Sequence, residues 1–149
     1  MDLLGFLKRE HARVSTLLEK IADTSEGAVK TREKLFDQIR TELEIHAQIE
    51  EKHLYPRAKK EPELRDLEKH AEDEHGQVKR MLAAISKLPV DSDEFLQRIG
   101  ELTASVKDHV EEEEHDMLPK AEEILGEEEC ERIAKLLQEE KQKLMQSAR

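Results

Sequence analysis

The feature that most constrains this chain is a repeat. Residues 46–58, HAQIEEKHLYPRA, return sixty-three positions later as HVEEEEHDMLPKA at 109–121, with His46 over His109, Glu50 over Glu113, Glu51 over Glu114, Pro56 over Pro119 and Ala58 over Ala121. A second pair, EHARVSTLLEKI at 10–21 and EHGQVKRMLAAI at 74–85, aligns at an offset of sixty-four with Glu, His, Val, Leu and Ile in register. Self-similarity of this kind decides the architecture before any single motif does. Each copy contributes a lone histidine, His11 or His75, and then a His-x-x-x-Glu pair, His46 with Glu50 or His109 with Glu113.

The repeated units read as helices. Charged residues make up 41% of the chain and aromatics 3%, with five Gly and four Pro, a composition of surface-charged helices rather than of a sheet. Leu4, Leu7, His11, Val14, Leu18 and Ile21 recur in steps of three and four, the stripe of an amphipathic helix. The second stripe is Leu35, Ile39, Leu43, His46, Glu50 and His53. The third runs from Leu64 through Leu67, Ala71, His75, Val78 and Leu82 to Ile85, and the fourth takes Phe95, Ile99, Leu102, Val106, His109, Glu113 and Met117. Residues 23–27, Glu61-Pro62 and residues 88–92 supply the breaks, with Asp91 or Ser92 as the N-cap of the fourth helix and Gly126 as its stop. The expected fold is all-α. A four-helix bundle of two αα-hairpin repeats fills residues 1–122, and a short fifth helix within 123–149 packs on the bundle or serves in association.

Histidine and glutamate interrupt these stripes where apolar residues belong. Four residues along an α-helix advance the direction by about 40° and the axis by about 6 Å, so the members of each His-x-x-x-Glu pair point to one side and reach a shared centre. A bundle would therefore gather His11, His46, His75, His109, Glu50 and Glu113 in its core. Unpaired, each buried carboxylate costs several kcal/mol and each unsatisfied imidazole nitrogen about 1–3 kcal/mol, against a total stability of about 5–15 kcal/mol. A pair of cations resolves this, because imidazoles bind as neutral donors and two carboxylates can bridge two ions. The mixed nitrogen and oxygen donors favour two iron ions, with manganese as the second choice, and a solvent-derived oxo or hydroxo bridge would still leave open positions on an octahedral pair.

At these residues the sequence resembles the hemerythrin-like, or HHE cation-binding, family. The family pattern of a lone His, His-x-x-x-Glu, a lone His and His-x-x-x-Glu is met by His11, His46 with Glu50, His75, and His109 with Glu113, over about the first 120 residues. The resemblance implies an up-down-up-down bundle with a non-haem di-iron centre that binds or reacts with oxygen, hydrogen peroxide or nitric oxide, or senses iron and oxygen. The oxygen-carrying members place two His four apart on the third helix, whereas here Ala71 and Lys79 flank His75 at that spacing. The missing ligand argues against reversible oxygen storage and for reaction with peroxide, catalase-like removal included. Tyr55, Glu51 and Glu72 are candidates for an additional ligand or for outer support. His53 is expected above the site, and His70 and His115 on the surface.

Two other readings use the same residues. A ferritin-like carboxylate site would take Glu50 with His53, Glu112 with His115, and Glu10 and Glu74 as single carboxylates, implying iron handling. A metal-free helical interaction module would use the fifth helix to bind a partner. The net charge of −11 argues against a phosphate backbone or an anionic membrane surface as partner. No apolar run approaches the roughly twenty residues that cross a bilayer, and residues 1–7 are too short for a signal-peptide core, so a cytoplasmic protein is expected, monomeric or weakly homo-oligomeric. The single cysteine, Cys130, fits a reducing compartment and reads as an ordinary helix residue.

Overall fold

The computed structural model of the protein describes residues 2–148; Met1 and Arg149, the outermost residues of the two expected segments, lie outside the described residues. Its α-helices are α1 (Leu3–Ala22), α2 (Val29–Ile49), α3 (Tyr55–Lys59), α4 (Arg65–Ile85), α5 (Asp93–Glu112), α6 (Leu118–Leu125) and α7 (Glu127–Ser147). Two π-helical turns, π1 (Glu50–Leu54) and π2 (Glu113–Met117), join α2 to α3 and α5 to α6 without a break. Counted through these turns, the described residues form four bundle helices and a fifth, and among them there is no strand. α1 packs on α2 and α5, and α4 on α5 and α2, the neighbour relations of an up-down-up-down bundle. Among the described residues no helix is long and apolar enough to cross a membrane.

The helix ends follow from local chemistry. Asp2 caps α1 by accepting the Gly5 amide, and Ser92 caps α5 by accepting the amide of Phe95, satisfying donors that the first turn leaves free. Gly126 has φ 88°, a left-handed backbone that a side chain would strain, and it both ends α6 and starts α7. At the loop end of the bundle, fully buried Arg32 donates to the hydroxyl and carbonyl of Thr24 and, at 2.6 Å, to the carbonyl of Val90. One guanidinium thus ties the α1–α2 loop to the α4–α5 loop.

The core has three layers. Val14, Leu18, Ile21, Ile39, Leu82, Ile85, Phe95, Ile99 and Leu102 form an apolar cluster toward those two loops. Leu3, Leu7, Ile49, Leu54, Tyr55, Leu64, Met117 and Leu118 belong to a second cluster at the opposite end. Between them, one polar residue from each bundle helix, His11, His46, His75 and His109, interrupts the hydrocarbon. The observed stripes correct the expected ones in places. Leu3 rather than Leu4 is fully buried on α1, and on α2 Phe36 and Glu42 are buried while Leu35 and Leu43 sit half-buried at the edge. α7, which packs on α1, α2, π1 and α6, covers Glu42 through Lys141, while Phe36 is buried against Phe95 in the first apolar cluster. At 21 residues α7 is as long as α4 rather than short, and it buries Cys130, Ile133, Ala134 and Leu137 in the second apolar cluster.

Candidate metal centre

The four imidazoles turn their Nε2 atoms toward one another and toward two carboxylates. His46 Nε2 lies 3.0 Å from Glu50 Oε1, and His75 Nε2 lies 3.2 Å from the same oxygen. His11 Nε2 is 3.1 Å from Glu113 Oε1, and His109 Nε2 is 3.5 Å from Glu113 Oε2. Both carboxylates are completely or almost completely buried. For His11 Nε2, His46 Nε2, Glu50 Oε2 and Glu113 Oε1 nearness is not hydrogen bonding, because none of the four has a partner in hydrogen-bond geometry, whereas His75 Nε2 and His109 Nε2 lie 3.2 Å apart as a hydrogen-bonded pair. Each such orphan costs about 1–3 kcal/mol in a closed core. Donor atoms that converge on common points instead of on each other are what a cation requires, so the residues present fit one.

The cluster divides by repeat. His11, His46 and Glu113 offer ligand atoms within 4.8 Å of one another, and so do His75, His109, Glu50 and Glu113. The ring centroids repeat the division: 5.0 Å from His11 to His46 and 4.8 Å from His75 to His109, but 6.4 Å from His46 to His75. Each repeat brings two imidazoles to its own point. Glu113 belongs to both groups, and Glu50, close to both His46 and His75, also spans the division.

Behind the rings stand further carboxylates that the sequence did not single out as a set. The Nδ1 of His75 meets Glu51 at 2.8 Å, that of His11 meets Glu114 at 2.7 Å, and that of His109 meets Glu74 at 2.7 Å. A carboxylate accepts, so each Nδ1 carries the proton and each Nε2 faces the centre, the tautomer that metal-bound histidines adopt. Glu51 and Glu114 are repeat counterparts, and each reaches across to the lone histidine of the other repeat. The repeat itself was the signal that could have found Glu114 once Glu51 was considered. Glu74 has Glu10 as its counterpart, and there the symmetry fails. Glu10 is taken by the ammonium of Lys141 on α7 at 2.6 Å, and Lys141 also lies 3.3 Å from Glu42. Glu10, Glu42 and Lys141 are all buried.

The π turns place Tyr55. Five residues on an α-helix would turn Tyr55 about 140° away from Glu50. In π1 the Tyr55 amide donates to the carbonyl of Glu50, so the two residues stack one wide turn apart on the same face. The buried phenol oxygen lies 3.0 Å from Glu113 Oε2, 3.2 Å from Glu50 Oε1 and 3.1 Å from His75 Nε2. In π2 the amide of Leu118 makes the same bond to Glu113, but the side chain there is hydrocarbon.

Charge in this core is held by mutual pairing. Burial works to lower the imidazole pKa values, and the carboxylates outweigh it. Glu113, with Glu50 and Glu114, carries His11 up to about 9, and Glu50 with Glu51 carries His75 up to about 10. His109 is raised in the same way, chiefly by Glu113. Burial pushes Glu50 and Glu113 upward, yet the imidazoles bring both below the usual carboxylate range, Glu113 far below. Burial and the two carboxylates lift the Tyr55 phenol well above its ordinary value. Protons on the imidazoles thus offset the carboxylate charge, and a cation at the centre would displace them.

A cavity of about 460 Å³ leads to the layer. Its walls include all four histidines, with Leu43, Ala47, Gly76 and Lys79 along the α2 and α4 sides. Of the remaining candidates, Glu51 supports His75 from outside, while Glu72 pairs with Lys59 at 3.1 Å and lies outside the converging group. His53, which strict α-helical phase would set above His46, is turned by π1 toward Glu140 of α7. His70 and His115 are exposed. The ferritin-like set is not brought together, because Glu10 is held by Lys141, Glu112 by His70, and His53 by Glu140.

Fold and site together define a helical domain with a buried histidine and glutamate cluster able to hold cations. The family model described as the hemerythrin HHE cation binding domain matches residues 2–121, and the chain belongs to that family. Among solved structures, the crystal structure of a hemerythrin HHE cation binding domain-containing protein from Mycobacterium kansasii superposes with a TM-score of 0.76 at 26% identity, covering 96% of this chain and 89% of that one. Among curated proteins, a DNA nickase from Nostoc sp. is 28% identical over an alignment 149 residues long that covers 98% of this chain and 41% of that protein. The present chain therefore spans less than half of that relative.

Proposed function

We propose that the chain would hold two iron ions, one by His11 and His46 and the other by His75 and His109, with Glu50 and Glu113 placed to serve both, and that it binds or reacts with a small oxygen species there. The observation that carries this is the set of converging, unpartnered donor atoms, His11 Nε2, His46 Nε2, Glu50 Oε2 and Glu113 Oε1, at the end of a cavity large enough for a diatomic molecule or peroxide. When bound, iron supplies a redox-active Lewis acid at neutral pH. The protein's own part is to orient three of the four imidazoles, His75, His109 and His11, through Glu51, Glu74 and Glu114, to exclude bulk water with two apolar layers, and to hold the Tyr55 proton between Glu50 and Glu113. Tyr55 serves as an additional ligand or as a hydrogen-bond donor beside the centre.

Ala71 and Lys79, the residues four positions either side of His75, leave it without the second histidine of the oxygen-carrying members, which favours turnover of hydrogen peroxide over reversible oxygen storage. Catalase-like removal, two peroxides giving two waters and dioxygen, is the leading activity; oxygen or nitric oxide binding and iron or oxygen sensing use the same site. The nicking named for the Nostoc relative is not carried over, since this chain spans 41% of that protein and its charge of −11 repels a phosphate backbone. The lone buried thiol, Cys130, supports a reading of the chain as cytoplasmic.

Metal analysis of protein made with iron supplied tests the proposal: near two iron per chain is expected, with near-ultraviolet absorption that weakens in His46→Ala or His109→Ala. Substoichiometric iron in well-folded protein would end it. Adding peroxide to the iron-loaded protein should release oxygen over many turnovers, whereas a spectrum restored by deoxygenation would make it a carrier.

A further inference from the structure

The two halves of the cluster are built from the same parts, so any part that one half lacks is informative. In the second repeat both rings are supported from behind, His75 by Glu51 and His109 by Glu74. In the first repeat His11 is supported by Glu114, but His46 has no carboxylate on Nδ1 among the described residues, although Glu10 stands at the position matching Glu74. Glu10 is buried, one residue from His11, and its carboxylate is turned to Lys141 Nζ at 2.6 Å. Lys141 is buried as well and comes from α7, which has no counterpart in the repeat. The counterpart of Tyr55 is Leu118, which leaves the first repeat's group poorer by a phenol too.

We infer that Lys141 makes the two metal positions unequal: by holding Glu10 it withholds from His46 the carboxylate that Glu74 supplies to His109, so the position of His11 and His46 takes its cation more weakly. This rests on the two-metal reading above. A carboxylate behind a ligating imidazole fixes ring and tautomer and raises the basicity of Nε2, and its loss typically lowers metal affinity by about 10- to 100-fold. Lys141 is therefore a positioning residue acting through Glu10, and α7 is the element through which the exchangeable position is set. The weaker position is also the one with the freer coordination sphere, where a small molecule would enter.

Anaerobic calorimetric titration of metal-free protein with ferrous iron tests this without any activity measurement. The intact chain should take up two ions in steps separated by at least about 10-fold in affinity. Glu74→Gln should weaken the tighter step by about 10- to 100-fold, while Glu10→Gln, its repeat counterpart, should leave both steps within about 3-fold. Lys141→Met should tighten the weaker step by about 10-fold, and adding Glu10→Gln to it should abolish that gain. Two equal steps, a Glu10→Gln loss as large as that of Glu74→Gln, a folded Lys141→Met protein with unchanged steps, or a gain that persists without Glu10 would each overturn the inference. If Lys141→Met does not fold, the Glu10 and Glu74 pair decides alone. Failure to bind any iron would instead refute the two-metal reading itself.

Discussion

The first and second repeats each deliver two histidines and one glutamate to the same layer, yet they surround them differently. Around His75 and His109 stand Glu51, Glu74 and Tyr55; around His11 and His46 the matching positions are Glu114, a Glu10 diverted to Lys141, and Leu118. The loss of Tyr55 is written in the repeat itself, as Leu118, whereas the diversion of Glu10 traces to one addition. α7 covers α1 and α2 and brings a buried ammonium with it, and a buried ammonium must find carboxylates, because an unpaired charge in a core costs several kcal/mol. Duplication sets up a symmetric site, and an appended helix makes it unsymmetric.

The largest effect is expected where the halves meet. Glu113 belongs to both groups, so Glu113→Ala should strip the protein of nearly all bound iron, as read by metal analysis; retention of one tightly held ion would show that Glu113 serves one half only. Next in size, the double variant His11→Ala with His46→Ala should keep about one iron per chain, whereas His11→Ala with His75→Ala should lose both. The reverse outcome would mean that each ion is held across the repeats, which would dissolve the comparison.

A stability measurement asks how far α7 belongs to the first half. Leu137 is fully buried in the cluster that also contains Leu3 and Leu7, so Leu137→Ala should cost about 2–5 kcal/mol in urea unfolding. A cost under about 1 kcal/mol would make α7 a detachable cover.

pH dependence of the metal-free protein probes both halves together. His11 and His75 have folded-state pKa values raised to about 9 and about 10, so their contribution is complete below about 6.5 and is lost as pH rises through 9 to 10. Glu50 and Glu113 are lowered, so their contribution is present above the ordinary carboxylate pKa and disappears as acid is added. The melting temperature should therefore be highest between about pH 5 and 6.5 and fall progressively, by several degrees, as pH rises toward 10. Iron should reduce this alkaline loss, since it replaces the same protons. The smallest effect is at Cys130, buried with its thiol pushed up to about 11. Alkylation of the folded protein at pH 8 should be far slower than after unfolding, and equal rates would mean that α7 opens readily.

Much of this was legible in the chain itself. The repeat, the steps of three and four, the capping Ser92 and the Gly126 stop suffice for a bundle of two helical hairpins and a fifth helix, because helical periodicity and capping are local properties. The six polar interruptions of the stripes could be picked out by the same means, and all six now lie in one buried layer. What tertiary structure alone decided depends on contacts between distant segments. The π turns break the phase that spacing arguments assume, swinging Tyr55 into the layer and His53 out to Glu140. Glu51 and Glu114 act across repeats, which no spacing within a helix can reveal. The fate of Glu10 was decided 131 residues away, by Lys141, because a buried charge takes the partner that packing places beside it.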